Sequence, residues 1–478
     1  MGTRARLRPL TVALIALLPA CVCAESPHGA TEARQTPALS RLQRAAAEAA
    51  FDSAAARHRK QLRDLYQERG IPAPLLPDAS LRAIVGLFHR PLERDAHGLE
   101  VRLFPEGTVL LFYAYDGVCI RAWVVNGDGI LAYERLSTSL PELRARMGEL
   151  RAALGVTPLQ LARAPRPRRP QQTGAVADDP ARGIALVGTG GSRVPLETAV
   201  QGLSHALMPG TIGRALAPAR HLIVTPCLDL GTVPFSLLEP GEVGVPLVAT
   251  TSVAIAPSLF DLGQRNFLRN REKQSSGGEA LVIGNPDLSK DPDWVFPPLP
   301  GAEAEAKAVA GVLGCRALVG RSATKAEFLR AAPRASVLYL ASHGVSSSID
   351  PMAGSFIGLS GTGPEETRLT AKEVQSMDTS ARIAILSACQ TGLGRPVDAG
   401  LIGLARAFQI AGVPYVAMSL WNVDDEATAK LMLEFVRRLN GTFPSEALRQ
   451  AMVEIRKECP DPAKWASFTV FGVPSRAG

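Results

Sequence analysis

The sequence predicts an α/β fold, in which a mostly parallel sheet is flanked by helices and preceded by a small helical and antiparallel β region. Three observations lead to this prediction. From Gly183 onward, short apolar runs alternate with stretches of helical periodicity, as in β–α–β units. Between residues 99 and 137, strand-like runs are separated by turn pairs such as Asp116-Gly117. From Leu39 to Glu68, apolar residues recur at near-helical spacing.

The first 24 residues have the composition of an export signal. Three arginines precede an apolar core at 10–18, and the small residues Ala20 and Ala24 follow. Two processing schemes remain open. Cys21 resembles the lipidated cysteine of a bacterial lipobox, with 1–20 as the signal, whereas cleavage after Ala24 would release a chain without lipid. We therefore expect a bacterial exported protein that is either periplasmic or attached to the membrane as a lipoprotein through Cys21.

Composition changes along the chain indicate further boundaries. The predicted segments are a helical region at 39–95, a β-meander with a helix at 96–160, a Pro/Arg-rich linker at 163–181, and a larger part at 183–474 with lobes at about 183–275 and 279–474. In the larger part, strands are predicted at 183–188, 220–226, 246–250, 280–284, 316–319, 336–341, 382–387, 414–420 and 467–472. Helices are predicted near 196–207, 257–268, 301–313, 323–331, 371–376, 400–411, 424–439 and 444–458.

Composition also argues against several classes of function. The chain carries a formal net charge of +7, but aromatic residues make up only 5%, which does not favour a base-stacking nucleic-acid surface. The basic run at 163–169 is interrupted by prolines, as in a solvated linker. No Cys/His spacing typical of zinc sites occurs. We expect no nucleic-acid partner, no metal and no cofactor.

A histidine and a cysteine each follow an apolar strand-like run, and they lie 46 residues apart. His343 follows Val337–Ser342, and Cys389 follows Ile383–Ala388. Catalytic groups collect at the carboxyl ends of parallel strands, so two neighbouring strands would bring an imidazole and a thiol together. A cysteine attacks as its thiolate, and a nearby histidine favours that form. We therefore expect His343 to act as base and Cys389 as nucleophile.

Several motifs around this pair resemble the CHAT family of caspase- and separase-like cysteine peptidases, in the order found in that family. The strongest are Tyr339–Gly344, Leu386–Gly394, Gly403–Phe408, Ala417–Asp425, Glu446–Arg449 and Trp465–Phe468, and weaker matches lie at Val233–Phe235, Leu281–Pro286 and Leu299–Glu303. The resemblance covers about residues 183 to 474 and implies a caspase-like fold. Members of the family commonly carry helical repeats ahead of the peptidase part, and the repeat signature is absent here.

The resemblance implies an endopeptidase that cleaves a protein or peptide substrate and is regulated, for instance by an activator protein. Backbone amides are the usual donors to a tetrahedral oxyanion, and those of Gly344 and Cys389 are best placed. A backbone carbonyl is expected to orient the imidazole, since no Asn or Asp is clearly required. Ser419 and Trp421 resemble pocket-wall positions of related peptidases.

Two readings of the acidic pair Asp424–Asp425 remain open. The pair follows the predicted strand 414–420 and would make an acidic pocket for an Arg or Lys of the substrate. Aspartates in the first turn of the helix 424–439 are equally expected from helix capping and the helix dipole. The sequence favours neither the pocket role nor the capping role over the other.

Two other functions compete with a peptidase. A catalytically silent binding or scaffold protein would keep the fold and its cleft, but the intact His343 and Cys389 argue against it. The segment Gly188–Ser192 resembles a dinucleotide-binding loop, but Arg193 stands where a glycine is needed for close helix packing.

Overall fold

The computed structural model describes most of the chain beyond the first segment. The described residues are 39–68, 76–94, 100–158, 182–183, 185–187, 194–241, 244–263, 278–347, 350–388, 395–397, 400–421 and 425–474. All of them lie within the unit Thr36–Gly478. The predicted signal with Cys21, the linker 163–181 and the loop Gly188–Ser192 fall outside the described residues.

Strands are numbered here in chain order. They are β1 Pro91–Arg94, β2 Glu100–Arg102, β3 Thr108–Tyr115, β4 Ile120–Asn126, β5 Gly129–Arg135, β6 Val156–Pro158, β7 Arg182–Gly183, β8 Ala185–Val187, β9 His221–Thr225, β10 Ser252–Ile255, β11 Leu281–Pro286, β12 Ala317–Gly320, β13 Val337–Ser342, β14 Gly344–Ser346, β15 Phe356–Gly358, β16 Arg368–Thr370, β17 Ile383–Ala388, β18 Arg395–Val397, β19 Gly400–Ile402, β20 Tyr415–Ser419 and β21 Phe468–Phe471.

Helices are identified by their residue ranges. The α-helices are Arg41–Glu68, Leu81–Phe88, Leu140–Ala153, Leu196–Leu207, Gly210–Leu216, Leu259–Gly263, Pro300–Leu313, Lys325–Ala331, Pro364–Thr367, Ala371–Gln375, Leu404–Ile410, Asp425–Arg438, Pro444–Glu458 and Pro462–Trp465. Short 3-10 helices lie at Leu228–Thr232, Phe235–Leu237, Leu247–Ala249 and Ala332–Arg334.

One large sheet runs through the protein, and this confirms the predicted mostly parallel α/β fold. Its strand order is β12-β11-β13-β17-β20-β21-β10-β9-β3-β4-β5. Pairing is parallel from β12 to β20 and from β21 to β3, and it is antiparallel between β20 and β21 and along β3-β4-β5. The predicted meander is therefore continuous with the parallel strands, because β3 pairs with β9.

Around β3, the two faces of this sheet carry separate apolar cores. Successive residues of a strand point to opposite faces, and in β3 Leu111 and Tyr113 join one core while Leu110 and Phe112 join the other. The long N-terminal helix Arg41–Glu68 covers the second face, where the rings of Phe51 and Phe112 lie 5.2 Å apart. This region is one uninterrupted helix.

Close packing of a helix against β11 depends on a glycine in that strand. A methyl group at Gly284 would lie 2.4 Å from Cβ of Ala306, so only a residue without Cβ lets the helix Pro300–Leu313 sit this near the strand. The same helix also packs against Asp425–Arg438. Helices on both sides of a parallel sheet bury its apolar strands, as the alternating pattern predicts.

Two of the predicted strands are wrong in position or partner. A strand was expected at 246–250, but Leu247–Ala249 is a 3-10 helix and the strand of the sheet is β10. The reason is local: Pro246 has no N–H for a ladder, and Thr250 donates back to Leu247 O. The second expectation, a strand of the parallel sheet at 183–188, is replaced by β7 and β8, which pair outside that sheet.

A buried ion pair in the second half of the chain also hydrogen-bonds the N-terminal helix. Arg406, in the helix Leu404–Ile410, binds Asp261, and its Nε donates to the hydroxyl of Tyr66 at 3.1 Å. The side chains of Arg406 and Asp261 are only 10% and 12% exposed. Burial disfavours the guanidinium charge, but Asp261 and Tyr66 more than offset this and raise the pKa of Arg406.

This arrangement predicts a large cost for removing the carboxylate. Asp261→Asn leaves the buried Arg406 without its counter-charge, and we expect the free energy of unfolding to fall by about 3–5 kcal/mol. Urea denaturation followed by circular dichroism measures this loss. The matched control is Glu327→Gln, which breaks an exposed ion pair with Arg330 and should change stability little. Equal effects of the two substitutions would show that the buried pair does not stabilise the fold.

Candidate active site

The strands that precede His343 and Cys389 are direct neighbours in the sheet. β13 and β17 pair in parallel and in register from Val337 and Ile383 to Ser342 and Ala388. The last residue of each strand therefore faces the last residue of the other, at the same edge. Cys389 itself lies outside the described residues, as do Gly392 and Gly394.

The imidazole of His343 is almost fully buried and has a defined orientation. Its side chain is 3% exposed, and its Nε2 lies 2.7 Å from the carbonyl oxygen of Pro297. A carbonyl oxygen only accepts, so Nε2 carries the hydrogen, and Nδ1 is the basic nitrogen of the neutral ring. The ring also packs against Phe296, with centroids 5.1 Å apart. The expected orienting carbonyl is thus that of Pro297, a residue that sequence reasoning did not single out.

Asn285 lies just before the segment that carries Pro297 and binds Leu299 and Glu303 at the other end of that segment. Its Oδ1 accepts from the Leu299 amide at 2.8 Å, and its Nδ2 donates to Glu303 at 3.2 Å. Asn285 has a φ of 43°, in the left-handed region that asparagine tolerates better than most residues. These contacts give a physical role to the two upstream motifs Leu281–Pro286 and Leu299–Glu303.

Gly344 begins β14, directly after His343. β14 pairs antiparallel with β15, and Gly344 lies opposite Ile357. The Gly358 amide donates to His343 O at 2.8 Å, which makes Gly344–Ile357 a pair that exchanges no N–H···O bonds. The Gly344 amide is therefore not used in the β14–β15 ladder.

The expected pocket-wall residues are both buried. Ser419 ends β20, and its hydroxyl donates to the carbonyl oxygen of Ala388, the residue before Cys389. Trp421 is 2% exposed, and its indole Nε1 donates to Ala463 O at 2.9 Å. Ser419 thus stabilises the end of β17, while Trp421 packs toward the C-terminal helix Pro462–Trp465.

The structure leaves the acidic pair unassigned. Asp424 lies outside the described residues, and the helix begins at Asp425, whose side chain is not described. A pocket role and a capping role for these two residues both remain predictions. Within the described ranges, no group of three or more His, Cys, Asp or Glu side chains is arranged to hold a metal ion.

A buried carboxylate, which sequence reasoning missed, lies in the Pro297 segment. The side chain of Asp291 is 0% exposed and is bound by Arg368 Nη2 at 2.9 Å and by the hydroxyl of Thr367 at 2.9 Å. Burial opposes ionisation of this carboxyl, but the hydrogen bonds from Arg368, the Asp293 amide and Thr367 outweigh it and lower the pKa of Asp291. Neither Asp291 nor Arg368 belongs to a motif that stands out in the sequence.

The lowered pKa of Asp291 predicts a pH-dependent contribution to stability. Because the folded state favours the carboxylate, the contribution is complete above the ordinary pKa of 3.8 and is lost as pH falls through the lower folded value. We expect Asp291→Asn to reduce the free energy of unfolding at pH 7 by about 1.5–3 kcal/mol. Urea denaturation between pH 3 and pH 8 should show this difference narrowing below pH ~4. A difference that grew toward acid pH would contradict the assignment.

Comparison with solved structures finds caspase-like cysteine peptidases. The Saccharomyces cerevisiae separase–securin complex matches 78% of this chain and 30% of the separase chain, at 11% identity and a TM-score of 0.44. The Arg-specific cysteine proteinase gingipain R matches over 58% of this chain and 67% of its own, at 13% identity and a TM-score of 0.35. At these identities the likeness concerns the fold.

Curated relatives include tetratricopeptide repeat protein 28 of Mus musculus, which is 31% identical over 313 residues, and that of Homo sapiens, which is 30% identical over 312. The match spans 57% of this chain and 12% of the length of each relative.

The profile of the CHAT domain matches residues 197–473, more than half of the chain. This range contains β13, β17 and the Pro297 segment, and thus every described part of the candidate site. The chain belongs to the CHAT domain family.

Proposed function

We propose that this protein is a cysteine endopeptidase of the CHAT type, with Cys389 as nucleophile and His343 as base. The observation that carries the proposal is the registered pairing of β13 with β17, whose last residues directly precede the two groups. The hydrogen bond from His343 Nε2 to Pro297 adds support, because it leaves Nδ1 as the nitrogen that can take a proton from a thiol.

The proposed reaction follows acyl transfer to sulfur. His343 takes the proton of the Cys389 thiol, and the thiolate sulfur bonds to the peptide carbonyl carbon. The resulting oxyanion accepts hydrogen bonds from backbone amides, and we propose those of Gly344 and Cys389 as the donors. His343 then gives its proton to the amine as the C–N bond breaks. Water, deprotonated by His343, cleaves the thioester and restores the thiol.

The substrate is proposed to be a protein partner whose cleaved bond follows a basic residue held by Asp424 and Asp425. The His343 side chain is 3% exposed, which favours a resting form that an activator protein opens before a peptide enters. Small reagents need less room than a peptide, so they test the reactivity of the thiol separately from activation.

Alkylation of the full-length chain tests the pair directly. With iodoacetamide and with a peptide electrophile ending in Arg, we expect modification of Cys389 at pH 7, found by mass spectrometry of peptides. His343→Ala should slow this reaction roughly 100-fold, because no base remains to generate the thiolate. Cys389→Ser should abolish modification at that position.

The matched control is Cys459→Ser, since Cys459 is a partly exposed thiol outside the site and should not affect labelling of Cys389. If Cys389 reacts no faster with iodoacetamide than Cys459, and His343→Ala changes nothing, the peptidase proposal is wrong. The silent scaffold then becomes the better explanation.

We further propose that the protein is exported in a bacterium and anchored through a lipid on Cys21. The support is the arginine-rich start, the apolar core at 10–18 and the small residues that follow. No described helix has the length and apolar character to cross a membrane.

Expression of the full chain in a bacterial host with labelled palmitate tests the lipid. We expect label and membrane-fraction protein for wild type, and loss of both with Cys21→Ser, because the thiol is the site of acylation. Cys23→Ser is the matched control and should retain both. Label that survives Cys21→Ser, or soluble periplasmic wild type, would show that lipidation at Cys21 is wrong.

A further inference from the structure

The carbonyl that orients His343 belongs to a segment without regular secondary structure. Residues 287–299 connect β11 to the helix Pro300–Leu313, and the segment forms no strand, only an isolated bridge at Trp294. A hydrogen bond of 2.7 Å to a buried imidazole requires that this carbonyl keep its position within a few tenths of an ångström. Side-chain contacts therefore contribute to the rigidity of the segment.

Asp291 provides the central contact of the segment. Its Oδ1 accepts from the backbone amides of Asp293 at 2.9 Å and Trp294 at 3.0 Å, which fixes the turn of the chain. The same carboxylate receives Arg368 through both Nε, at 3.1 Å, and Nη2, at 2.9 Å. One fully buried group thus shapes the segment and attaches it to a residue 77 positions later.

Arg368 lies in the small sheet that holds the main chain of His343. In this sheet it is the register partner of Gly358, whose amide donates to His343 O at 2.8 Å. The Gly358 carbonyl in turn accepts from the Ser342 hydroxyl at 2.6 Å. Arg368 also binds Asp293 at 2.8 Å, and its guanidinium lies 5.3 Å from the Phe356 ring centroid. The arginine therefore connects the orienting segment to the strands around the histidine.

Apolar packing leaves little freedom for this connection. Leu288 and Phe296 of the segment form a small core with Val345 and Phe356, separate from the two main cores. A methyl group at Gly358 would lie 2.7 Å from Leu288 Cδ1, so β15 and the segment are in close contact. A shift of Arg368 would be transmitted to the position of Pro297.

We propose that Asp291 and Arg368 are positioning residues, whose ion pair holds the Pro297 carbonyl where it orients His343 for reaction with Cys389. The inference rests on the proposed function for its catalytic consequence, whereas the orientation of the ring is a property of the resting protein. The pair acts through Pro297 and touches neither the thiol nor the substrate.

The orientation of the ring can be measured without any catalysis. The full chain has seven histidines, so selective ¹⁵N labelling gives few imidazole signals, and His343→Ala assigns the one of interest. In wild type we expect a downfield Nε2–H proton of His343 that is protected from solvent exchange. Arg368→Met and Asp291→Asn should lose this signal or exchange it at least tenfold faster.

The catalytic consequence is measured as the rate of Cys389 modification by the peptide electrophile. Misplacing a catalytic group by about 1 Å can cost roughly 100-fold in rate, so we expect Arg368→Met to slow modification roughly 10- to 100-fold. Arg368→Lys keeps the positive charge and the fold but loses the two-pronged contact, and it should recover only part of the rate and of the protection.

Two controls separate positioning from loss of stability. Arg321→Gln breaks the exposed ion pair of Asp287 in the same segment and should leave the His343 signal unchanged. Asp261→Asn destabilises the fold at a different ion pair, and it should also keep that signal at temperatures where the chain is folded.

The possible results distinguish the two proposals. A folded Arg368→Lys or Arg368→Met variant with an unchanged histidine signal and unchanged rate overturns the positioning role, whatever the stability. If Arg368→Met does not fold, Arg368→Lys and Asp291→Asn decide the question. Loss of the signal in these variants, together with no reaction of wild-type Cys389, supports positioning and rejects the peptidase. Reaction of wild-type Cys389, together with an unchanged histidine signal and rate in the variants, supports the peptidase and rejects the positioning role.

Discussion

The in-register parallel pairing of β13 with β17 is the constraint on which the rest of the site depends. Because the ladder ends with the pair Ser342 and Ala388, both strands end at the same edge of the sheet. Parallel strands require long crossover connections, and the connection between these two carries β14, β15 and β16. The segment that links the two strands therefore also forms the small sheet beside His343.

Regular strands and an irregular segment together fix the position and orientation of His343. The large sheet ends at Ser342, and the small sheet holds the main chain of His343 through the Gly358 amide. The irregular 287–299 segment sets the orientation of the ring through Pro297. A regular ladder is rigid by construction, but an irregular segment needs buried side-chain contacts, and Asp291 with Arg368 supplies them. Polar burial of this kind is costly unless every group is satisfied, and the five hydrogen bonds that four residues donate to the Asp291 carboxylate meet that requirement.

The N-terminal part is integrated with the part that the CHAT domain profile matches through the sheet and through a hydrogen bond from Arg406 to Tyr66. β3 adds to β9, and Arg406 reaches both Asp261 and Tyr66. Arg406 belongs to the first described helix after Cys389 in the chain, in one of the family motifs. The long helix Arg41–Glu68 is therefore in contact with that helix through Tyr66. The long helix lies ahead of the part of the chain that the CHAT domain profile matches.

The sequence by itself determined the fold class, most of the elements and the position of His343 after a strand, because strand periodicity and the residues after each strand are local signals. The strand expected at 246–250 failed for a local reason as well, since Pro246 and the turn bonds after it favour a 3-10 helix. Only the tertiary structure identified Pro297, Asp291 and Arg368. Every residue has a backbone carbonyl, so the sequence does not single out that of Pro297. The members of the ion pair lie 77 positions apart. Which residues meet across such a distance is decided by strand order and packing. The spacing of residues along the sequence predicts neither.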